Sequence, residues 1–229
     1  MKKLFAFFAA MIFAAQVFGQ DFGVFNKIDI SAPVKVEIVT GEKQHRVVAK
    51  GNCEDFIRDL RFEVDGKTLY IKLDPHKRKY VMKNGEVVVT VYVDDLTNLN
   101  TSGACSVRFI GKTALKNLDI ENSGATKTEI PDALISGKFH ADISGASKLD
   151  ISGDFSDVEI EASGASTIIF SGNAEVFDLE VSGASKIILS GSADIFILDA
   201  SGATKVMAEG FQARKSKIDY SGAAKILMD

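Results

Sequence analysis

The tripeptide Ser-Gly-Ala recurs seven times in the C-terminal half of this chain, and this repeat constrains the fold more than any other feature. The copies begin at Ser102, Ser123, Ser144, Ser163, Ser182, Ser201 and Ser221, at intervals of 21, 21, 19, 19, 19 and 20 residues. A second glycine follows nine positions after five of the serines, at Gly111, Gly153, Gly172, Gly191 and Gly210. A period near twenty residues is typical of solenoids, in which each repeat stacks on the previous one.

Apolar residues alternate with polar residues on both sides of each Ser-Gly-Ala. Val158, Ile160 and Ala162 precede Ser163, and Ile168 and Phe170 follow it. A period of two predicts strands, and paired glycines permit sharp corners between them. The chain is therefore predicted to be all-β: a parallel β-helix, or β-solenoid, of about seven coils of about 20 residues each, spanning residues 98–229.

Stacked coils place equivalent residues above one another, so a corner has to be narrow in every layer. Ser and Ala fit such a corner, and we expect the seven serines to form a single file whose hydroxyls hydrogen-bond along it. Cys105 occupies a position that other coils fill with Thr126, Ser147, Ser166, Ser185, Thr204 and Ala224. We expect Cys105 to be a small packing residue, although an exported chain can also join it to Cys53.

Residues 20–97 are rich in β pattern but lack the repeat. Asp65-Gly66 separates residues 61–64 from 67–73, and Asn84-Gly85 separates residues 80–83 from 86–93; both dipeptides favour two-residue hairpin turns. Residues 74–79 form a predicted charged loop. This portion is predicted to be an antiparallel cap for the first coil, because terminal coils expose unpaired strand edges. No cap is evident after residue 228, so a homo-oligomer through the C-terminal coil is a further expectation.

Residues 1–19 have the pattern of a secretory signal peptide. Lys2 and Lys3 precede an apolar run at 4–15, and small residues up to Gly19 make Gln20 the expected mature N-terminus. No cysteine lies at this point for a lipid anchor, and no later apolar run is long enough for a membrane span. The protein is therefore expected to be exported to the periplasm, the outer surface or the medium.

The composition argues against nucleic-acid binding and offers no catalytic set. Without the two signal lysines, 25 basic residues remain against 31 acidic ones, so there is no excess positive charge to neutralise phosphates. His45, His76 and His140 have no partner at metal-ligand spacing, and no nucleophile elbow, phosphate loop or dinucleotide fingerprint occurs. We therefore predict no enzyme activity, no catalytic residues, no metal and no cofactor.

Two charged columns follow from the register of the repeat. Carboxylates lie four and two positions before the serines, at Asp119, Glu121, Asp142, Glu159, Glu161, Asp178, Glu180, Asp199 and Asp219. Lysines lie four positions after them, at Lys127, Lys148, Lys186, Lys205 and Lys225, interrupted by Thr167. The simplest interpretation is two solvated faces that compensate each other's charge across the corner. The functional interpretation is a repetitive binding surface, with an acidic glycan on the lysines or divalent cations on carboxylates such as Glu159, Glu161 and Glu180.

The Ser-Gly-Ala-Ser-Lys pattern, together with the openings at residues 25–30 and 34–38, resembles the auto-transporter adhesin head domain family, or GIN domain. The resemblance extends over residues 24–228 as one domain. It implies a β-helical fold, an envelope or extracellular location and an adhesin role, and it carries no catalytic residues. The leading hypothesis is thus a non-enzymatic adhesin or glycan-binding module with a polysaccharide or cell-surface partner. A glycan-active enzyme with Glu159 and Glu161 as its carboxylate pair, or a purely structural envelope protein, are the alternatives.

Overall fold

Strands dominate the structure, as the alternating pattern predicts. The computed structural model describes residues 16–74 and 86–228. The elements before the first Ser-Gly-Ala are β1 (Gln16–Asp21), β2 (Lys27–Ile30), β3 (Lys35–Thr40), β4 (Arg46–Gly51), α1 (Glu54–Asp59), β5 (Leu60–Asp65), β6 (Thr68–Leu73), β7 (Val87–Val93) and β8 (Asn98–Thr101). Those after it are β9 (Ser106–Phe109), β10 (Thr113–Leu115), β11 (Leu118–Asn122), β12 (Lys127–Ile143), β13 (Lys148–Ala162), β14 (Thr167–Val181), β15 (Lys186–Ala200), β16 (Lys205–Ala208), β17 (Phe211–Tyr220) and β18 (Lys225–Met228).

The coils stack in parallel and form three walls, which confirms the β-solenoid. Wall A consists of β6, β2 and the seven strand segments that precede a Ser-Gly-Ala, in the order β6, β2, β8, β11, β12, β13, β14, β15, β17. Wall B consists of β7, β3 and the seven strand segments that follow a Ser-Gly-Ala, in the order β7, β3, β9, β12, β13, β14, β15, β16, β18. Wall C is short and runs from β10 through the middle of β12–β15 to the start of β17. The sequence left open whether two or three sheets line each coil; three sheets line the coils from β10 onward.

The seven repeat serines lie in a single file, as predicted. The amide of each serine donates to a carbonyl one coil earlier, for example Ser163 to Ile143 and Ser182 to Ala162, both at 2.8 Å. Ser31 extends the file by one coil, because the Ser102 amide donates to Ile30 while Ser31 itself donates to Ile71. The hydroxyls of the first three serines, Ser102, Ser123 and Ser144, donate to a backbone carbonyl of the previous coil, as Ser144 Oγ does to Asn122 O at 3.3 Å.

The glycine of each Ser-Gly-Ala has a left-handed backbone, and from Gly124 onward it also lies close to the backbone of the previous coil. Gly183 has φ +80°, and a Cβ placed there would lie 2.5 Å from the carbonyl oxygen of Gly164 in the previous coil. The wall C glycines are packed still more closely, since a Cβ on Gly191 would lie 1.9 Å from Gly172 O. A side chain therefore has no room at Gly124, Gly145, Gly164, Gly183 and Gly202 or at Gly153, Gly172 and Gly191, and alanine cannot replace these glycines unless the coils move apart.

Bulges absorb the difference between 21-residue and 19-residue repeats. The register of β12 against β13 shifts between Ile130 and Ala133 and again between Ile135 and Lys138. Each shift places one extra residue on β12, so the walls remain in register on both sides of the insertion. From β13 to β15 the register continues without a shift.

The core is a continuous apolar filling inside the coils, and all three walls contribute aromatic rings to it. Phe170 lies 5.5 Å from Phe155 and 4.5 Å from Phe177 between ring centroids, and Phe196 lies 5.1 Å from Phe211. Next to the corner runs a file of small buried side chains: Cys105, Thr126, Ser147, Ser166, Ser185 and Thr204. Their hydroxyls are satisfied locally, as Ser166 Oγ donates to Ser163 O at 2.7 Å. Cys105 is thus a packing residue.

The N-terminal portion supplies coils as well as a cap. The hairpin predicted at Asp65-Gly66 is present, with β5 and β6 antiparallel. In space, however, the coil of β2 and β3 lies between β6/β7 and β8/β9. The chain therefore forms the β2/β3 coil first, adds β6 and β7 on one side of it, and then places β8 and β9 on the opposite side. Antiparallel β4 and β1 extend wall B outward from β7. The predicted Asn84-Gly85 turn and most of the charged loop lie outside the described residues.

At each end of the described chain, the terminal strand pairs with one other strand only. β1 pairs only with β4 among the described residues, and its first four residues belong to the expected signal peptide. At the other end, β18 pairs only with β16 within the described residues, which leaves one edge of wall B unpaired. The helix α1 has six residues, and no helix within residues 16–74 and 86–228 has the length and apolar character that a membrane crossing requires.

Candidate functional site

A row of exposed carboxylates runs along wall A beside the serine file. Its members lie two positions before each serine: Glu121, Asp142, Glu161, Glu180, Asp199 and Asp219. We call this row the acidic ladder. Strand alternation explains its exposure, because the flanking Ile160 and Ala162 point into the core and Glu161 points out. Neighbouring coils are about 4.8 Å apart, so the six side chains form a regular array of negative charge.

The acidic ladder has almost no positive partner. Of the six carboxylates of the ladder, only Asp219 forms an ion pair with a residue in 16–74 or 86–228; its partner is Lys217, at 3.1 Å. The other five carboxylates make no ion pair or side-chain hydrogen bond in the described part of the chain. The ladder is thus a solvated face, as the simplest interpretation of the sequence has it, but no lysine of wall B forms an ion pair with it across the corner in the described chain.

The acidic ladder forms one side of a shallow groove along the corner. One open cavity of about 370 Å³ is lined by Asp142, Glu161, Glu180 and Asp199 together with Ser163, Ser182 and Ser201. A second of about 280 Å³ continues it toward the first coils and is lined by Glu121, Asp142 and the serines of those coils. Asp142 belongs to both, so the groove follows the acidic ladder over most of its length.

Glu159 belongs to a separate, mixed column and does not face Glu161. Strand position sets the two carboxylates side by side on the same outer face of wall A, with no cleft between them. Lys138 donates a hydrogen bond to Glu159 and thereby lowers its pKa, and His140 Nδ1 lies 3.5 Å from the same carboxylate. One coil further, burial raises the pKa of Asp178, with the charges of Glu159 and Asp157 adding to the effect. Glu159 is thus held in an ion pair with Lys138, whereas Glu161 belongs to the exposed acidic ladder.

The lysine column of wall B is aligned as predicted but changes character along the solenoid. In the earlier coils each lysine pairs with an acid two residues further along its own strand, as Lys127 does with Glu129 at 2.5 Å and Lys148 with Asp150 at 3.0 Å. The hydrogen bond from Lys127 lowers the pKa of Glu129. These two lysines are therefore already neutralised within the protein.

In the later coils the same wall presents unpaired lysines beside aliphatic side chains. Lys186, Lys205 and Lys225 are exposed and form no ion pair with any residue in 16–74 or 86–228. The positions where earlier coils carry acids are here half-buried Ile169, Ile188, Met207 and Leu227. We call these seven residues the lysine–aliphatic face. Its aliphatic half was not predicted from the sequence, although Ile168-Ile169 and Ile187-Ile188 break the alternation with an outward-pointing apolar residue.

No metal centre is formed by the described side chains. In that part of the chain, no three His, Cys, Asp or Glu residues lie close enough together to hold a metal ion. The regular spacing of the acidic ladder explains this, because carboxylates on successive coils point outward in parallel and do not converge on one point. Divalent-cation binding on Glu161 and Glu180 thus has no preformed ligand set.

The two cysteines are free thiols with different environments. Cys53 is partly exposed and Cys105 is buried. Burial raises the pKa of Cys105 to about 11, and a hydrogen bond with Thr101 only partly opposes this effect. We expect a thiol reagent at neutral pH to modify Cys53 rapidly and Cys105 about a hundredfold more slowly, because the thiolate is the reactive form. Mass spectrometry of the native protein checks this, with the unfolded protein as control; equal rates in the native state would contradict the burial.

The chain is similar in sequence and in structure to proteins described as putative adhesins. The sequence profile of the family described as "Putative auto-transporter adhesin, head GIN domain" matches residues 24–169 and 140–228. A putative adhesin from Bacteroides fragilis NCTC 9343 superimposes with a TM-score of 0.75 at 16% identity, covering 93% of this chain and 97% of that one. A putative adhesin from Parabacteroides distasonis ATCC 8503 gives a TM-score of 0.65 at 12% identity, with the same coverage of 93% and 97%.

These two structural likenesses concern the fold, since their identities of 16% and 12% are low. No curated protein matches the chain in sequence. The family assignment rests on the sequence profile, whose two matched segments together cover nearly the whole chain from residue 24. The chain therefore belongs to the putative auto-transporter adhesin, head GIN domain, family.

Proposed function

We propose that this protein is an exported, non-enzymatic adhesin that binds an acidic polysaccharide on the lysine–aliphatic face. The observation that carries the proposal is the set of three consecutive exposed lysines, Lys186, Lys205 and Lys225, that no acid of the described chain neutralises. Export is expected from the signal-peptide pattern of residues 1–19, and the family supports an adhesin role.

The chemistry of the face suits an acidic sugar polymer. Ammonium groups about 4.8 Å apart along the axis offer one positive charge per coil to a ligand with regularly repeated carboxylates or sulfates. The adjacent Ile188, Met207 and Leu227 offer an apolar surface on which the C–H faces of sugar rings can pack. Lysine is well suited to bind such a ligand, because its ammonium keeps its charge and its flexible stem adapts to the spacing.

A glycan-cleaving role has less support from the two carboxylates that the sequence suggests for it. Glu159 and Glu161 stand side by side on a flat wall, and Glu159 is held by Lys138. Most glycosidases place their two carboxyl groups on either side of the scissile bond, whereas Glu159 and Glu161 project from the same face of one strand. Binding without turnover is therefore the better-supported function.

Binding to an acidic polysaccharide is expected to depend on the three unpaired lysines. We expect the triple variant Lys186→Gln, Lys205→Gln, Lys225→Gln to bind immobilised polygalacturonate about tenfold more weakly, because it loses three exposed charge pairs. The matched control replaces Lys112, Lys116 and Lys215 with Gln, since these lysines are also exposed and unpaired in the described chain but lie outside the face. Surface plasmon resonance measures both, with a neutral galactan as reference.

Two results would contradict this assignment. The first is equal weakening by the control triple, which would mean that only net charge matters. The second is failure of the wild-type protein to bind any acidic polysaccharide at low salt, which would favour the purely structural role.

A further inference from the structure

We propose that the lysine–aliphatic face of one copy of this protein docks on the acidic ladder of a second copy. The two surfaces lie on either side of the same corner, so each copy carries one of each. Their charges are opposite, and neither surface has its charge balanced within the described chain, apart from Asp219 on the ladder. The proposal goes beyond ligand binding and does not depend on it.

The spacing of the two surfaces is identical because both are made by the same coils. Lys186, Lys205 and Lys225 occupy three consecutive coils in register, and the acidic ladder occupies six. Any three consecutive carboxylates of the ladder thus match the three ammonium groups, at about 4.8 Å per step. A ligand without this axial repeat can satisfy only some of the charges, whereas a second copy satisfies all three lysines at once.

The groove along the ladder provides room for the incoming side chains. The cavity of about 370 Å³ opens onto Glu161, Glu180 and Asp199, which are three consecutive members of the ladder. Lysine stems are long and flexible enough to enter a shallow groove while their ammonium groups meet the carboxylates. Docking also reduces the repulsion between the carboxylates of the ladder. Carboxylates on neighbouring coils are about 4.8 Å apart, which is less than the Debye length of about 10 Å at 0.1 M salt, so salt screens their repulsion only partly.

The contact joins two different surfaces, and this determines the type of assembly. After one contact forms, the first copy still presents its own acidic ladder and the second its own lysine–aliphatic face. A heterologous contact of this kind does not stop at a dimer and produces rings or filaments. We therefore expect laterally associated solenoids whose size increases with protein concentration.

Charge reversal tests the contact directly by sedimentation velocity of the purified protein. At about 0.05 M NaCl the wild type is expected to associate with rising concentration, and at about 0.5 M NaCl to sediment as a monomer, because the Debye length shortens about threefold. The ladder variant Glu161→Lys, Glu180→Lys, Asp199→Lys and the face variant Lys186→Glu, Lys205→Glu, Lys225→Glu should each remain monomeric alone. An equimolar mixture of the two variants should associate again, because the unchanged lysines of the ladder variant meet the unchanged carboxylates of the face variant.

Matched controls separate this contact from general charge effects and from polysaccharide binding. Lys112→Glu, Lys116→Glu, Lys215→Glu changes the net charge as the face variant does and should leave association unchanged. The ladder variant should still bind polygalacturonate, so loss of association without loss of polysaccharide binding distinguishes the two proposals. A wild-type protein that stays monomeric at low salt, or a mixture of the two reversed variants that fails to associate, would overturn the inference.

Discussion

Replacing Gly191 with alanine is expected to destabilise the protein more than any other single methyl addition, by about 4 kcal/mol or more. The Cβ would lie 1.9 Å from the carbonyl oxygen of Gly172 and 2.7 Å from its carbonyl carbon, and both are backbone atoms. Relief requires the two coils to separate, which breaks the parallel hydrogen bonds between β14 and β15 on either side. Urea unfolding followed by circular dichroism measures the loss.

Two glycines outside the stack serve as controls for this substitution. Gly41 has φ +82° but no atom within 4 Å of the position that a Cβ would take, so Gly41→Ala should cost only the left-handed strain of about 1–2 kcal/mol. Gly23 has neither a close neighbour nor a left-handed backbone, and Gly23→Ala should change stability by less than about 0.5 kcal/mol. A Gly191→Ala variant that loses no more than Gly41→Ala would show that the coils do not approach as closely as described.

Truncation of Phe177 is the second change with a large expected effect. Its ring is fully buried and lies between Phe170, Phe196 and Phe211, with centroid distances of 4.5, 5.6 and 6.0 Å. Removal of the ring leaves a cavity that the stacked coils cannot close, because backbone hydrogen bonds fix their spacing. We therefore expect Phe177→Ala to reduce the free energy of unfolding by about 3–5 kcal/mol.

The control for Phe177 is an aromatic residue that the coils do not enclose. Tyr220 is 67% exposed at the end of β17, so Tyr220→Ala should change the free energy of unfolding by less than about 0.5 kcal/mol. Thermal and urea unfolding of the two variants side by side provide the comparison. Equal stabilities of the two variants would contradict a continuous aromatic core.

The repeat predicted much of the fold because each coil specifies its own position relative to the next. Identical corners, identical inward residues and a fixed length determine the register, so the serine file and the packing role of Cys105 follow from the sequence. The place of β2 and β3 between β6/β7 and β8/β9 could not be predicted. Outside the repeat, the sequence of a strand does not indicate which strand it pairs with. Only Ser31 relates the coil of β2 and β3 to the serine file.

The charged columns were positioned correctly, but their pairing was not predictable from position alone. Strand alternation determines which residues point out. The ion pairs, however, depend on which acid a flexible lysine side chain can reach. That acid lies on the same strand for Lys127 and Lys148 and not across the corner. The unpaired lysines follow from the replacement of these acids by Ile188, Met207 and Leu227, a change that a comparison of coils position by position can detect.

Equivalent residues of successive repeats lie in files along one axis, and distances between spin labels test this stacking most directly. One label is placed at Ala104 and a second at Ala184, Ala203 or Ala223, since all four are exposed corner residues. Pulsed electron–electron double resonance should give distances between the two labels of about 19, 24 and 29 Å, an increase of about 4.8 Å for each coil added. Distances that do not increase in equal steps with the number of intervening repeats would contradict the stacked solenoid.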